Sequence, residues 1–264
     1  MPLPAESEKT GRGSLAIVGL GPGRREHMTG RALDVLASAE LVLGHSTYLE
    51  PLGELLAGKE VVSSAMGKEV DRARKAIAFA KTRHVAIVSG GDAGVYGMAG
   101  IVLEVLEHEG AEIPVEIVPG VTAATAAASR VGSPLSGDFA TISLSDLLTP
   151  LEVIGGRLEA VFALGIPVVL YNPRSRGRPH NFAYAVEIAR KHLGPETPVA
   201  IVKNALRNGE ERIVTTLGAI EGSMDAVDMH TTVIIGGKES RIWRMGDDVR
   251  GIITPRGYHR KYVY

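Results

Sequence analysis

Short apolar runs alternate along this chain with segments whose apolar positions recur at helical spacing, and glycine-rich turns separate the two. Leu15–Gly19 is such a run; it leads into GLGPG at 19–23, after which Arg31–Ala39 carries apolar residues at helical spacing. Leu41–Leu43 and Lys59–Val62 read as strands, with helices over Tyr48–Leu56 and Glu69–Lys81. His84–Ser89 is the next strand, followed by GGDAGVYG at 90–97, a helix across Gly100–Glu109 and a strand at Val115–Val118. The alanine-rich TAATAAASRVG at 122–132 predicts a helix closed by Gly132, and the turn-forming pairs Ser133-Pro134 and Ser136-Gly137 come next. Phe139–Leu144, Val168–Tyr171 and Val199–Val202 predict strands, with helices near 150–163 and 180–192. Arg212–Leu217 and Thr231–Ile235 have β character without a full helical crossover before each, and the last 19 residues show no clear period.

Strands that alternate with helices predict a mostly parallel sheet with short loops at the strand carboxyl ends. The missing crossovers of the second half predict a mixed sheet there. The expected architecture is therefore α/β in two domains. A disordered tail spans 1–13, an N-terminal α/β domain 14–121, a C-terminal α/β domain 122–245 and a basic C-terminal tail 246–264. The composition agrees with ordinary globular folding: 264 residues, 45% hydrophobic, 22% charged and net charge −1, enough chain to bury a core without staples. With no cysteine there is no disulfide, thiolate zinc site, thiol nucleophile or iron–sulfur cluster. No apolar run approaches the ~20 residues of a membrane span, and the N-terminus lacks an apolar signal core, so the expected setting is cytoplasmic with no membrane partner. The near-neutral charge balance argues against a nucleic-acid partner.

Several motifs carry chemistry, each with a plainer reading beside it. GLGPG after a strand has the look of a dinucleotide loop, but G-x-G-x-x-G needs a small residue where Arg24 stands, and Gly44 and His45 occupy the place of the usual acidic residue. A tight strand-to-helix turn is the plainer alternative. SGGDAGVYG sets Asp92 directly after a strand, where open α/β sheets bind ligands; Asp92 equally suits a helix N-terminal acid. Walker, H-E-x-x-H and G-x-S-x-G patterns are absent. The D-x-H of Asp228-Met229-His230 lacks the glycine of a cobalamin-ligating motif, since Val233 stands there, and no metal site is expected. His45 lies just past a strand, within reach of a cleft, although a lone histidine is more often structural. YNPRSRGRPHNF at 171–182 sets Arg174, Arg176 and Arg178 at alternate positions of a Pro/Gly loop. Arginine forks bind carboxylates bidentately, so this loop points to a polyanionic ligand or to a solvated surface.

GLGPG, SGGDAGVYG, VPGVTAATAA, VVLYNPRS and TTVIIGG, in this order from about Leu15 to the C-terminus, resemble the tetrapyrrole methylases of cobalamin biosynthesis. Within that family GHSTYL at 44–49, LYNPRSRGR at 170–178 and ITPRGY at 253–258 are most similar to the enzymes that methylate C-17 of precorrin-3B or cobalt-precorrin-3 and contract the ring. The resemblance implies two α/β domains around a cleft that holds S-adenosylmethionine, giving S-adenosylhomocysteine as product, and a homodimer. It implies cofactor contacts from Pro22, Gly90, Gly91, Asp92, Val95, Thr122, Ala123, Asn172 and Ala205. Gly21, Arg174 and Arg176 would face the tetrapyrrole, whose acetate and propionate arms suit the arginines. Methylation from a sulfonium needs positioning more than a covalent catalyst. Ring contraction needs proton movement, for which His45 is the first candidate and Lys68 the second. Related uroporphyrinogen methyltransferases have Asp where this chain has His45, so their acid/base assignment does not carry over. The rival readings are a methylase for another ring carbon and a non-catalytic corrinoid carrier or sensor.

Overall fold

The computed structural model describes residues 13–65 and 67–263, so the tail expected over 1–13 lies, but for Gly13, outside the described residues. The chain forms two compact units, Met1–Thr122 and Ala123–Tyr264. The first unit runs β1 (Ser14–Gly19), α1 (Gly30–Ser38), β2 (Leu41–His45), α2 (Ser46–Leu49), β3 (Glu60–Ser64), α3 (Glu69–Ala80), β4 (His84–Ser89), α4 (Ala99–Glu109) and β5 (Val115–Val118). Its strands pair in the order β3-β2-β4-β1-β5, and every pair is parallel.

The central strands are buried on both faces, as a parallel sheet covered by helices requires. In β4 every residue after His84 is buried. Leu15, Ile17 and Ile87 pack on one face against Ala76 and Ile77 of α3 and Val102 of α4. Val18, Val42 and Val88 pack on the other against Ala32, Val35 and Leu36 of α1 and Leu49 of α2. Helix α1 starts where the Thr29 hydroxyl accepts the Ala32 amide at 3.1 Å, and α4 stops at Gly110 with φ +59°. The helix expected over Tyr48–Leu56 is instead one α-turn, α2, and a 3-10 segment over Glu50–Leu56 interrupted at Gly53, whose φ is +44°.

The strand order has a functional consequence. The chain leaves β2 for β3 across the α1/α2 face, whereas it leaves the neighbouring β4 for β5 across the α3/α4 face. A crevice therefore opens beyond the carboxyl ends of β2 and β4, the place where open α/β sheets bind ligands.

The second unit contains α5 (Ala123–Arg130), β6 (Gly132–Ser133), β7 (Ala140–Ser143), α6 (Leu151–Leu164), β8 (Val168–Tyr171), α7 (Asn181–His192), β9 (Pro198–Lys203), β10 (Glu211–Thr216), β11 (Thr231–Ile235), β12 (Arg241–Met245) and β13 (Asp248–Ile253). Its main sheet has the order β10-β9-β11-β8-β7; β7 and β8 are parallel and the other pairs antiparallel, the mixed sheet expected. Fully buried Phe162 and Phe182 anchor α6 and α7 on one face. The alanines of α5 cover the other, against Val169, Ala200, Val202 and Ile234.

Two sequence expectations change here. Asp248–Ile253, read as part of a tail, is a strand that pairs with β12 across a turn at Gly246 (φ +59°) and with β6. A register shift between Trp243 and Arg244, together with arginines on both strands, hides the alternation that would have announced the hairpin. Gly132 does not close α5. It begins β6 with φ +102°, and a Cβ there would stand 2.6 Å from the Ile252 carbonyl oxygen, so close strand approach requires the glycine. No helix of the described residues is long and apolar enough to cross a membrane.

Candidate active site

In the first unit, three sequence motifs converge at the carboxyl end of the sheet. Leu20 donates its amide to the Ser89 carbonyl at 2.9 Å, and Gly21 and Gly91 exchange amide–carbonyl bonds at 2.9 and 2.8 Å. This fastens GLGPG to SGGDAGVYG. The loop after β5 closes on both: a Cβ on Gly19 would sit 2.8 Å from the Gly120 nitrogen, and one on Gly120 would overlap the Gly91 carbonyl oxygen and stand 2.7 Å from the Gly19 carbonyl carbon. Only backbone without side chains packs this closely, which gives the glycine motifs their physical reason.

Asp92 is the fastener of this junction. One carboxylate oxygen accepts the Gly94 amide at 2.8 Å and the other the Gly120 amide at 2.9 Å. Its negative charge is thus spent on shaping the loop, and what the loop offers a ligand is main chain. Gly90 faces Tyr48, whose ring carbons lie 2.5–3.0 Å from where a Cβ would be. Tyr48 in turn meets the His45 ring edge-on at 5.9 Å. His45 Nδ1 accepts the Thr47 amide at 3.2 Å, so in the neutral ring Nε2 carries the proton. Tyr48 thus bridges His45, at the end of β2, and the Gly90 loop that follows β4. Pro22 and Gly21 are buried after β1, and Gly21 needs its φ of +63°. Lys68 is exposed before α3 and lies 3.7 Å from Asp71.

In the second unit the loops after β8 and β9 are shaped by side chains. Asn172 has φ +50° and donates from Nδ2 to the Ser143 hydroxyl at 3.0 Å. Its neighbour Tyr171 accepts the Ala124 amide on its hydroxyl at 2.8 Å, capping the first turn of α5, which begins at Ala123. Asn204 (φ +50°) and Leu206 (φ +60°) flank Ala205 in the loop after β9. With Tyr96 (φ +54°) these are the four non-glycine residues in left-handed backbone among the described residues; Tyr96 and Asn172 fall in the motif loops and the other two flank Ala205. Such conformations cost on the order of 1–3 kcal/mol each and cluster where a ligand must be met.

Glu210 holds the β9–β10 loop. Burial pushes its carboxyl up, but the Leu206 amide at 2.8 Å and Arg130 at 2.9 Å outweigh this and keep it below the ordinary carboxylate range. Asp228 behaves alike: burial raises it, whereas Lys203 at 2.9 Å, the His230 amide and Thr231 bring it lower. The Asp228-Met229-His230 sequence thereby forms a turn just before β11.

Of the arginines, Arg174 donates to the Met224 carbonyl at 3.0 Å and approaches Asp225 at 3.4 Å. Arg176 is exposed and has no ion-pair partner among the described residues. Arg178 is tied to the Ser145 hydroxyl, with its Nε 3.9 Å from Asp146. Motif reading missed Tyr48, Tyr171 and Glu210. The two tyrosines sit inside GHSTYL and YNPRS and could have been found there; Glu210 had no signal beyond its neighbour Gly209.

Comparison with known proteins supplies the family. Residues 14–221 match the model of the tetrapyrrole (corrin/porphyrin) methylases. The chain is 42% identical over 245 residues, 92% of itself and 99% of the relative, to a probable cobalt-factor III C(17)-methyltransferase of Salmonella typhimurium. It is 40% identical over 250 residues, 93% of itself and 97% of the relative, to a precorrin-3B C(17)-methyltransferase of a Sinorhizobium species. A longer relative, the cobalamin biosynthesis protein CbiHC of Archaeoglobus fulgidus, is 41% identical over 252 residues, 95% of this chain but 54% of that one. Among solved structures, the methyltransferase CobJ superposes with TM-score 0.85 at 34% identity, covering 92% of this chain and 100% of that one. A uroporphyrin-III C-methyltransferase of Thermus thermophilus, crystallised with S-adenosylhomocysteine, superposes with TM-score 0.64 at 26% identity over 85% of this chain and 97% of that one. The glycine junction, the strained loops and these matches agree: the chain belongs to the tetrapyrrole (corrin/porphyrin) methylases.

Proposed function

We propose that this chain is an S-adenosylmethionine-dependent methyltransferase that alkylates C-17 of precorrin-3B or its cobalt-bearing counterpart and assists contraction of the macrocycle. The observation that carries the reading is the end-to-end match, 99% of its length, to a relative named for that carbon. The residues fit the methyl donor: Gly90 and Gly91 lock the start of the loop after β4, Asp92 fixes its shape by taking two backbone amides, and Ala123 and Ala205 are small enough for close approach. Pro22, Val95, Thr122 and Asn172 complete the cofactor contacts of this reading; Gly21, Arg174 and Arg176 face the tetrapyrrole.

When bound, S-adenosylmethionine supplies a sulfonium-activated methyl group, which moves to carbon as the sulfonium becomes a thioether. The chain's own work is to align the two reactants and exclude water. His45 is the first candidate to serve the rearrangement, as hydrogen-bond donor from Nε2 in the neutral ring and as proton donor once protonation of Nδ1 releases the Thr47 amide; Lys68 is the second candidate. A homodimer in the cytoplasm is part of the same reading, supported by the family pattern and checked by light scattering.

The test is incubation of the protein with S-adenosylmethionine and precorrin-3B or cobalt-factor III, followed by mass and optical spectra. The expected product has one added methyl and a shifted spectrum. His45→Ala should lose about 10²–10⁴-fold in rearrangement while still transferring methyl, accumulating a methylated macrocycle with an unshifted spectrum. Cofactor binding without turnover on either substrate would favour the carrier reading instead.

A further inference from the structure

Arg72, on α3, is 4% exposed, and it makes no ion pair among the described residues. Its Nε donates to the Ser64 hydroxyl at 2.5 Å, one terminal nitrogen to the Ala65 carbonyl at 3.0 Å, and the other to the Met98 sulfur at 3.3 Å. These are neutral acceptors and use three of the five guanidinium N–H groups. A buried charge is ordinarily paired, because removing one from water costs several kcal/mol.

The unpaired charge borders a cavity of about 270 Å³ lined also by Lys68, Asp71, Lys75, Ser63 and Ser64, with Leu43 and Val62 as its apolar wall. Lys68, the N-cap of α3, and Arg72 and Lys75 within the helix line this one cavity. Asp71 is the lining carboxylate, and it lies 3.7 Å from Lys68. Three cations against one anion leave the cavity short of negative charge. Its volume falls below the roughly 300 Å³ at which pockets begin to hold whole drug-sized ligands, so it admits a side arm and not a macrocycle.

The position gives the arm its owner. Ser64, the last residue of β3, pairs in register with His45, the last of β2. Adjacent strands lie about 4.8 Å apart, so an anion held at Arg72 through the Ser64 edge sits one strand from His45. We infer that the cavity of Arg72, Lys68 and Lys75 is an anion subsite that takes one acetate or propionate arm of the tetrapyrrole and so fixes the macrocycle beside His45. Leu43 and Val62 accommodate the methylenes of the arm, and the serine hydroxyls and cationic heads its carboxylate. The inference rests on the tetrapyrrole reading of the function.

Binding without turnover tests it, with uroporphyrin III as a stable polycarboxylate probe and S-adenosylhomocysteine as a control. Lys75 is exposed, so Lys75→Met keeps the fold. It should weaken uroporphyrin III about tenfold, and Arg72→Met should do so more strongly, with Arg72→Lys recovering part of the loss. The affinity for S-adenosylhomocysteine should stay unchanged in all three, which also reports folding. Loss of S-adenosylhomocysteine affinity in folded Lys75→Met, with uroporphyrin III unaffected, would assign the subsite to the cofactor's carboxylate and overturn the inference. Unchanged affinity for both ligands in Lys75→Met and Arg72→Lys would reduce Arg72 to a brace for the β3–α3 loop. Failure of the unmodified protein to bind uroporphyrin III while it binds S-adenosylhomocysteine would strike at the tetrapyrrole reading itself, and the inference would fall with it.

Discussion

At the ends of β1, β4 and β5 the first unit packs Gly19, Gly91 and Gly120 backbone on backbone, and its one carboxylate there, Asp92, hydrogen-bonds main-chain amides. The loops after β8 and β9 in the second unit are built differently. Asn172, Asn204 and Leu206 hold left-handed conformations that their side chains resist, and Ser143, Tyr171, Arg130 and Glu210 brace the segments around them. The first arrangement locks the main chain from which the 92–95 loop leaves, and suits a ligand recognised through its fit to that loop's backbone. The second sets side chains around its main chain and carries Arg174 and Arg176 on the loop after β8.

The contrast is broken most severely at Gly120. Gly120→Ala drives a methyl into the Gly91 carbonyl, where no flexible side chain can yield, and should cost about 3 kcal/mol, seen as a lowered midpoint of thermal unfolding. A fully stable Gly120→Ala would show that the glycine junction is not tight. Arg174→Ala probes the other unit. It should weaken tetrapyrrole binding roughly 10- to 150-fold and leave S-adenosylhomocysteine binding as it was, by titration of each ligand. Equal losses for both ligands would take Arg174 off the tetrapyrrole.

Glu210 sharpens the account through pH. Its carboxyl is held below the ordinary value in the fold, so its contribution is present above the unfolded value near 4.3 and is lost as the pH falls through the folded value. Glu210→Gln should destabilise by about 1.5 kcal/mol near pH 7, and the gap to the unmodified protein should close in acid below pH ~4, measured by urea unfolding across pH. A gap that persists in acid would mean that shape, not charge, makes the brace. The smallest effect has the opposite sign. Gly100 lies in α4 with nothing near its missing Cβ, so Gly100→Ala should stabilise by roughly 0.5–1 kcal/mol, which denaturant midpoints would resolve.

The same division explains what could be read from the sequence. The parallel first sheet, the mixed second sheet and the glycine loops were legible because buried strands are continuous apolar runs and close backbone packing demands glycine. Tyr48 against Gly90 and Glu210 against Arg130 were not, since each is a contact between residues distant in sequence, 42 and 80 positions apart, that no local period announces. The β12–β13 hairpin escaped for another reason: its strands are mostly exposed and arginine-bearing, so only Ile252 and its neighbours carry an inward signal. Arg72 was hidden in an ordinary amphipathic helix, where a basic residue reads as solvent-facing until the fold buries it.

The measurement that bears most directly on the account is a crystal structure of the protein with S-adenosylhomocysteine. The account predicts the ligand against the main chain of residues 90–95, hydrogen-bonded to backbone groups, with both Asp92 oxygens still on the Gly94 and Gly120 amides. A ligand lying beyond side-chain reach of residues 90–95, or one that pulls Asp92 away from Gly120 to bind it directly, would contradict the claim that this loop recognises its ligand through backbone.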